Sequence, residues 1–176
     1  FSHTGADSKY FNKFNNYEEL GAFQSKESKF YKWFRFSEYP NKYECWWGID
    51  NQPNVDELEP SYVEYIIKGK NSIIEKWMRL GASGWRLDVA DELPDEFIKM
   101  IKSKMKEINR DSVLIGEVWE DASNKMSYSS KREYFYGKEL DSVTNYPFRE
   151  ALINFVKGYI KSDKFKRKLM SLYENY

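Results

Sequence analysis

From Ser61 onward the chain alternates between amphipathic helical stretches and short apolar runs, and that alternation narrows its fold more than any other feature. "SYVE" reads as a capping box, with Ser61 as N-cap and Glu64 three residues on. Ile66, Ile73, Ile74, Trp77 and Leu80 then recur at helical spacing, and Gly81 supplies a stop. An apolar run over residues 84–90 follows. Pro94 and Asp95 open a second helix, with Phe97, Ile98, Ile101, Met105 and Ile108 on one face. Next come a second run, "SVLIGEVW", a loop, a third run, "DSVTNY", and a helical "PFREALINFVKGYI". Strands separated by helices pair in parallel, so the expected class is α/β.

Residues 1–60 show no such period. They are rich in Asn, Ser, Lys and aromatics, as in "KFYKWFRFSEYPNKYECWWG". Aromatics make up 18% of the chain, and so many large rings argue for a packed excursion rather than disorder. Within it Trp46 and Trp47 are expected to pack, and the single cysteine, Cys45, to be a buried, inert thiol. One cysteine allows no internal disulfide and fits a reducing, cytoplasmic compartment. Lys plus Arg, 28, equals Asp plus Glu, 28, so no global field favours nucleic acid or an anionic membrane. No run approaches the ~18 apolar residues of a membrane span. "FSHTG" at the start and "SLYENY" at the end give the chain the look of a piece of something longer.

The run at 84–90 holds an arginine and an aspartate two residues apart, and buried charges are costly unless paired or used. Strand alternation puts Trp85, Leu87 and Val89 on one face, and Arg86, Asp88 and Ala90 on the other. In a parallel barrel helices cover the outside, so the polar set points to the axis, near the C-terminal strand ends where barrel sites are built. Glu117 has a similar place in the next run, 29 residues on. Neighbouring strands ~4.8 Å apart would bring the two carboxyls within about 5–6 Å, near the separation of a retaining glycosidase pair. Arg86 would then hold Asp88 ionised, while burial and the neighbouring negative charge would raise Glu117 into an acid.

Five segments carry a family resemblance. "GWRLDVADE" resembles the second conserved region of the α-amylase family (glycoside hydrolase family 13), in its neopullulanase and cyclomaltodextrinase branch. "LIGEVW" is similar to the third region, and "HTGADSKYFN" to the chain just after the first. "YECWWGIDNQPNV" resembles the marker after the third strand, and "DSVTNYPFREAL" the sixth-strand segment. The resemblance implies a partial (β/α)8 TIM barrel, about strands four to six with their helices over residues 61–176. Residues 1–60 would form the excursion domain inserted after strand three. It implies a retaining α-glucan hydrolase with Asp88 as nucleophile, Glu117 as general acid/base and Arg86 as the aspartate's orienting partner. His3 would bind sugar at the cleavage subsite, Asp91 and Glu92 would touch it on the leaving-group side, and Trp119 would stack or pack at the rim.

The same resemblance implies an α-glucan or maltosaccharide as partner and no required cofactor. Ser2 stands where the family usually has an asparagine, often a calcium ligand, so calcium binding is in doubt. The region that carries the family's third catalytic aspartate has no counterpart, so the chain alone is expected to be inactive. Homo-oligomerisation is left open. Three rivals stay in view: an enolase-type barrel enzyme with Asp88, Glu117 and Asp141 around a metal, a non-catalytic amylase-like binding module, and a transglycosylase or isomerase using the same nucleophile.

Overall fold

The computed structural model describes residues 1–127 and 130–175. The chain divides into two compact units, Phe1–Lys76 and Trp77–Tyr176.

In the first unit aromatic rings do the work of regular elements. Phe11, fully buried, meets Phe23, Phe34, Phe36 and Tyr43 at ring-centroid distances of 4.6–5.9 Å. A second cluster joins Tyr10, Phe30, Trp33, Tyr62 and Tyr65. The only regular pairing there among the described residues is a short antiparallel hairpin, β1 (Phe36–Glu38) with β2 (Lys42–Tyr43). Each such ring buries a large apolar area, which is how a segment without periodicity stays ordered. Cys45 is half-buried rather than buried, and desolvation raises its thiol pKa.

Ser61 is not the cap. Helix α1 (Pro60–Val63) is capped two residues earlier, with Pro60 in its first turn and the Glu59 carboxylate accepting from the Tyr62 amide at 2.9 Å. Proline suits that position because it has no amide to leave unpaired. The helix opens into a wider π turn over Glu64–Lys68 and stops at Gly69, and α2 (Ile73–Arg79) begins afresh. This break resets the helical phase. Ile74 and Met78, four apart, turn inward, while Trp77 and Leu80 are exposed, against the continuous-helix expectation.

In the second unit β3 (Gly84–Leu87), β4 (Val113–Gly116) and β7 (Ser142–Val143) form a parallel sheet in the order β3-β4-β7. Helix α3 (Asp95–Ile108) connects the first two. Its Phe97, Ile98, Ile101 and Met105 are fully buried, as their spacing predicts, in a core with Leu87, Leu93, Leu114, Val118 and Leu140. Between β4 and β7 the short strands β5 (Met126–Ser127) and β6 (Ser130–Lys131) pair antiparallel. After β7 come α4 (Tyr146–Val156), which ends before Gly158 at φ +72°, and α5 (Ser162–Asn175), which the reading of the sequence did not anticipate. Phe155 and Phe165 stack between these two helices at 4.6 Å.

The strands are shorter than the apolar runs. β3 ends at Leu87, and Val89 sits in the left-handed region at φ +40°, ψ +62°. Alternation therefore stops at Leu87, and Ala90 is fully buried instead of sharing the Arg86 face.

Candidate functional site

Register decides where the charged residues stand. Gly84 pairs with Val113 and Leu87 with Gly116, so Asp88 and Glu117 are each the first residue past their strands, at one level of the sheet. The backbone binds these two ends together: the Glu117 amide donates to the Leu87 carbonyl at 2.8 Å and the Ala90 amide to the Glu117 carbonyl at 3.0 Å. Arg86 lies on the intervening surface. Its Nη1 contacts Asp88 Oδ1, and its Nη2 lies 2.9 Å from Glu117 Oε1. One guanidinium is thus shared by both carboxylates, which offsets their mutual repulsion.

The two carboxylates differ in surroundings. The Asp88 side chain is 60% exposed, whereas Glu117 as a residue is 8% exposed. Glu117 Oε2 accepts from the Val89 amide at 3.1 Å, and Oε1 accepts from the Tyr146 hydroxyl at 3.0 Å. Burial pushes this carboxyl up. The Val89 amide, the Tyr146 hydroxyl, the Trp119 indole and the Arg86 charge outweigh burial and hold it below the ordinary glutamate value. The expectation of a raised Glu117 is therefore corrected for the free site: donors to the ionised form win over desolvation. Glu117 in turn raises the Tyr146 hydroxyl pKa through their hydrogen bond.

Trp119 is thus both a half-exposed ring, 43% by area, and a hydrogen-bond donor to Glu117. Asp91 and Glu92 lie in a single 3-10 turn, Ala90–Glu92. The Asp91 carboxylate accepts from the Tyr134 hydroxyl at 2.6 Å and pairs with Lys125 at 3.2 Å. His3 belongs to the first unit, where its Nδ1 shares a 3.0 Å hydrogen bond with Ser2 and its ring lies 5.4 Å from Trp46. Trp46 stacks on Trp47 at 5.0 Å, but Trp47 is 65% exposed at φ +50°, so it is not packed as expected.

Asp141 is held elsewhere. It pairs with Lys102 and Lys106, accepts from the Leu114 amide, and precedes β7. An enolase-type triad thereby loses its third carboxylate. Among the described residues no three His, Cys, Asp or Glu side chains converge on a metal-sized site, and the Ser2 hydroxyl is engaged by His3.

Sequence reasoning missed Tyr146, Val89 and the buried Arg132. Only Tyr146 left a signal: it follows Glu117 by 29 residues, the same interval that separates Glu117 from Asp88.

Comparison with known proteins places the chain in a family. The family described as "Alpha amylase, catalytic domain" matches residues 1–176. Amylopullulanase of Thermoanaerobacterium saccharolyticum is 32% identical over all of this chain, which spans 15% of that protein. Neopullulanase 2 of Thermoactinomyces vulgaris is 30% identical over 83% of the chain and 24% of its own length. The type III pullulan hydrolase of Thermococcus kodakarensis superposes with a TM-score of 0.78 at 25% identity, over 99% of this chain and 29% of that one. The chain covers well under half of each of these relatives, and its three parallel strands are part of a barrel and not a closed one. It belongs to the α-amylase family, as a piece of the catalytic domain.

Proposed function

We propose that this chain supplies two of the catalytic carboxylates of a retaining α-glucan hydrolase of the neopullulanase or cyclomaltodextrinase kind. The observation that carries the reading is the Asp88–Arg86–Glu117 constellation, two carboxylates level on neighbouring parallel strands and bridged by one guanidinium. In the first step Asp88 attacks the anomeric carbon, the glycosidic bond breaks, and Glu117 gives its proton to the leaving oxygen. In the second, Glu117 takes a proton from water as that water attacks the same carbon and releases Asp88. The free site holds Glu117 ionised, so the reading requires a bound glucan to raise it by excluding water from the carboxyl.

Arg86 orients Asp88, His3 contacts sugar at the cleavage subsite, and Trp119 offers a ring face while donating to Glu117. For Asp91 the internal bonds to Tyr134 and Lys125 favour a supporting role, while Glu92 keeps the leaving-group side. Residues 1–60 are read as the excursion after strand three and 61–176 as barrel units. The single cysteine supports a reducing, cytoplasmic setting.

The test uses the full-length protein on pullulan, cyclomaltodextrins and maltosaccharides, with the anomer of the new reducing end followed by NMR. The α anomer should appear first and Asp88→Asn should abolish turnover. First appearance of the β anomer, or an Asp88→Asn enzyme keeping more than about a tenth of kcat, equivalent to ~1.4 kcal/mol, would reject the double displacement. Without the strands that complete the barrel, the 176-residue chain alone is expected to be inactive.

A further inference from the structure

The loop after Glu117 carries a buried ionic cluster that the roles above leave unused. Arg132 is 4% exposed. Its Nη2 donates to the carbonyls of Ala90 at 3.0 Å and Leu93 at 2.6 Å, its Nε donates to the Tyr134 hydroxyl at 3.0 Å, and its Nη1 faces Asp95 at 2.9 Å. Tyr134, itself 1% exposed, passes its own hydrogen to Asp91. Ser127 donates to the Asp91 carbonyl at 2.9 Å, and Lys125 pairs with the Asp91 carboxylate. Burying a guanidinium is costly even when it is paired. Here much of its hydrogen bonding goes not to a carboxylate but to the backbone of residues 90–93.

That backbone continues directly from Val89. A β-branched residue at φ +40° is strained by roughly 1–3 kcal/mol and persists only where its surroundings over-determine it. The strained residue is the one whose amide reaches Glu117 Oε2. On one side the turn is tied to Glu117 by that bond and by the Ala90 amide. On the other it is tied by Arg132, Tyr134, Ser127 and Lys125, all from the loop that follows Glu117.

The geometry points to Arg132 as a positioning residue: by gripping the Ala90 and Leu93 carbonyls it holds the left-handed Val89 turn, and so keeps the Val89 amide on the Glu117 carboxylate. The proposal rests on Glu117 being the acid/base. Arg132 touches no reacting atom and acts only through the turn. Without it Val89 can relax toward an unstrained conformation and withdraw its amide. Arg86, Tyr146, Trp119 and the like charge of Asp88 would still face Glu117, so the effect is the loss of one donor to the ionised form. Glu117 then titrates higher.

The experiment compares wild type, Arg132→Lys, Arg132→Met and Tyr134→Phe in the full-length protein. The pH dependence of kcat/KM on maltosaccharides is measured beside hydrogen exchange of the peptide spanning residues 88–93. The Glu117 limb is identified as the one missing from Glu117→Gln acting on an activated aryl glycoside. In Arg132→Met that limb should rise by roughly half a pH unit or more, kcat should fall about tenfold with KM changed less than about twofold, and exchange at 88–93 should quicken. Arg132→Lys should restore this only in part, because an ammonium cannot fork between two carbonyls.

A lower melting temperature with the wild-type pH profile and kcat would overturn the proposal, leaving Arg132 a structural staple. Should Arg132→Met not fold, Tyr134→Phe decides: a limb shifted upward supports the proposal and an unshifted one rejects it. If wild type cleaves no glucan while exchange at 88–93 still quickens in the variants, the functional reading falls and the turn clamp stands.

Discussion

Arg86→Met removes the cation shared by Asp88 and Glu117, and the result can be sized from the structure. Coulomb's law gives a unit pair at 2.9 Å ~1.4 kcal/mol in water and ~6 kcal/mol at an effective dielectric of 20. The Arg86 side chain is 46% exposed, and solvent screening keeps the working value near the lower bound, ~1.5 kcal/mol. The Val89 amide, the Tyr146 hydroxyl and the Trp119 indole remain and limit the rise. In the wild type Glu117 is depressed in the fold, so its stabilisation is fully present above the unfolded value, ~4.3, and is lost as pH falls through the folded value. The gap in melting temperature between wild type and Arg86→Met should therefore be widest near neutrality and close on acidification. At the same time the Glu117 limb of kcat/KM should move to higher pH. A gap constant from pH 3 to 8, with the limb unmoved, would mean that Arg86 acts through packing alone, and the electrostatic account of the constellation would fail.

The remaining expectations are narrower. Tyr146→Phe removes a donor to Glu117 and should raise that carboxyl's titration while leaving the far-UV spectrum unchanged; a downward shift would contradict the hydrogen bond. Glu57, 7% exposed, is pushed by burial up to about 7. Its protonated form suits the fold, so stability should fall as pH rises from ~4.5 to 7, and Glu57→Gln should raise the melting temperature at pH 8 but not at pH 4. Gly116→Ala would drive a methyl to 2.4 Å from Leu140 Cδ1 and 3.0 Å from the Ala90 methyl. It should cost ~1–3 kcal/mol in denaturant unfolding, with kcat reduced because Glu117 is the next residue. Phe97→Ala, at a fully buried ring, should cost about 3–5 kcal/mol.

Hydrophobic period made the second unit legible. The α3 face, the parallel sheet and the level pairing of Asp88 with Glu117 all follow from spacing, because a β/α unit of fixed length returns the chain to the same height of the sheet. Period says nothing of where a strand stops. The run from Gly84 to Ala90 looks continuous, yet Val89 turns left-handed and moves Ala90 into the core. That turn supplies the amide that reverses the expected shift of Glu117. The first helix misled for a related reason: Gly69 interrupts it, and a pattern read across the break assigns Trp77 and Leu80 the wrong faces. Helix α5 was legible but unread, since Phe165, Leu169 and Leu172 recur at helical spacing. Arg132 was not legible at all, because a lone arginine in a polar loop looks solvated until the loop folds over it.

The charged strand with which the site begins acquires its sense from the count of charges at the sheet's end. Two carboxylates and one guanidinium leave a formal charge of −1 when all three are ionised. Two bare carboxylates at neighbouring strand ends would repel and splay the site. A second cation would cancel the field that a developing oxocarbenium ion needs, since that transition state gains positive charge at the anomeric carbon. One arginine between them does both jobs: it holds the pair together in the free protein and, as Glu117 gives up its proton, leaves a net negative site facing the developing positive charge.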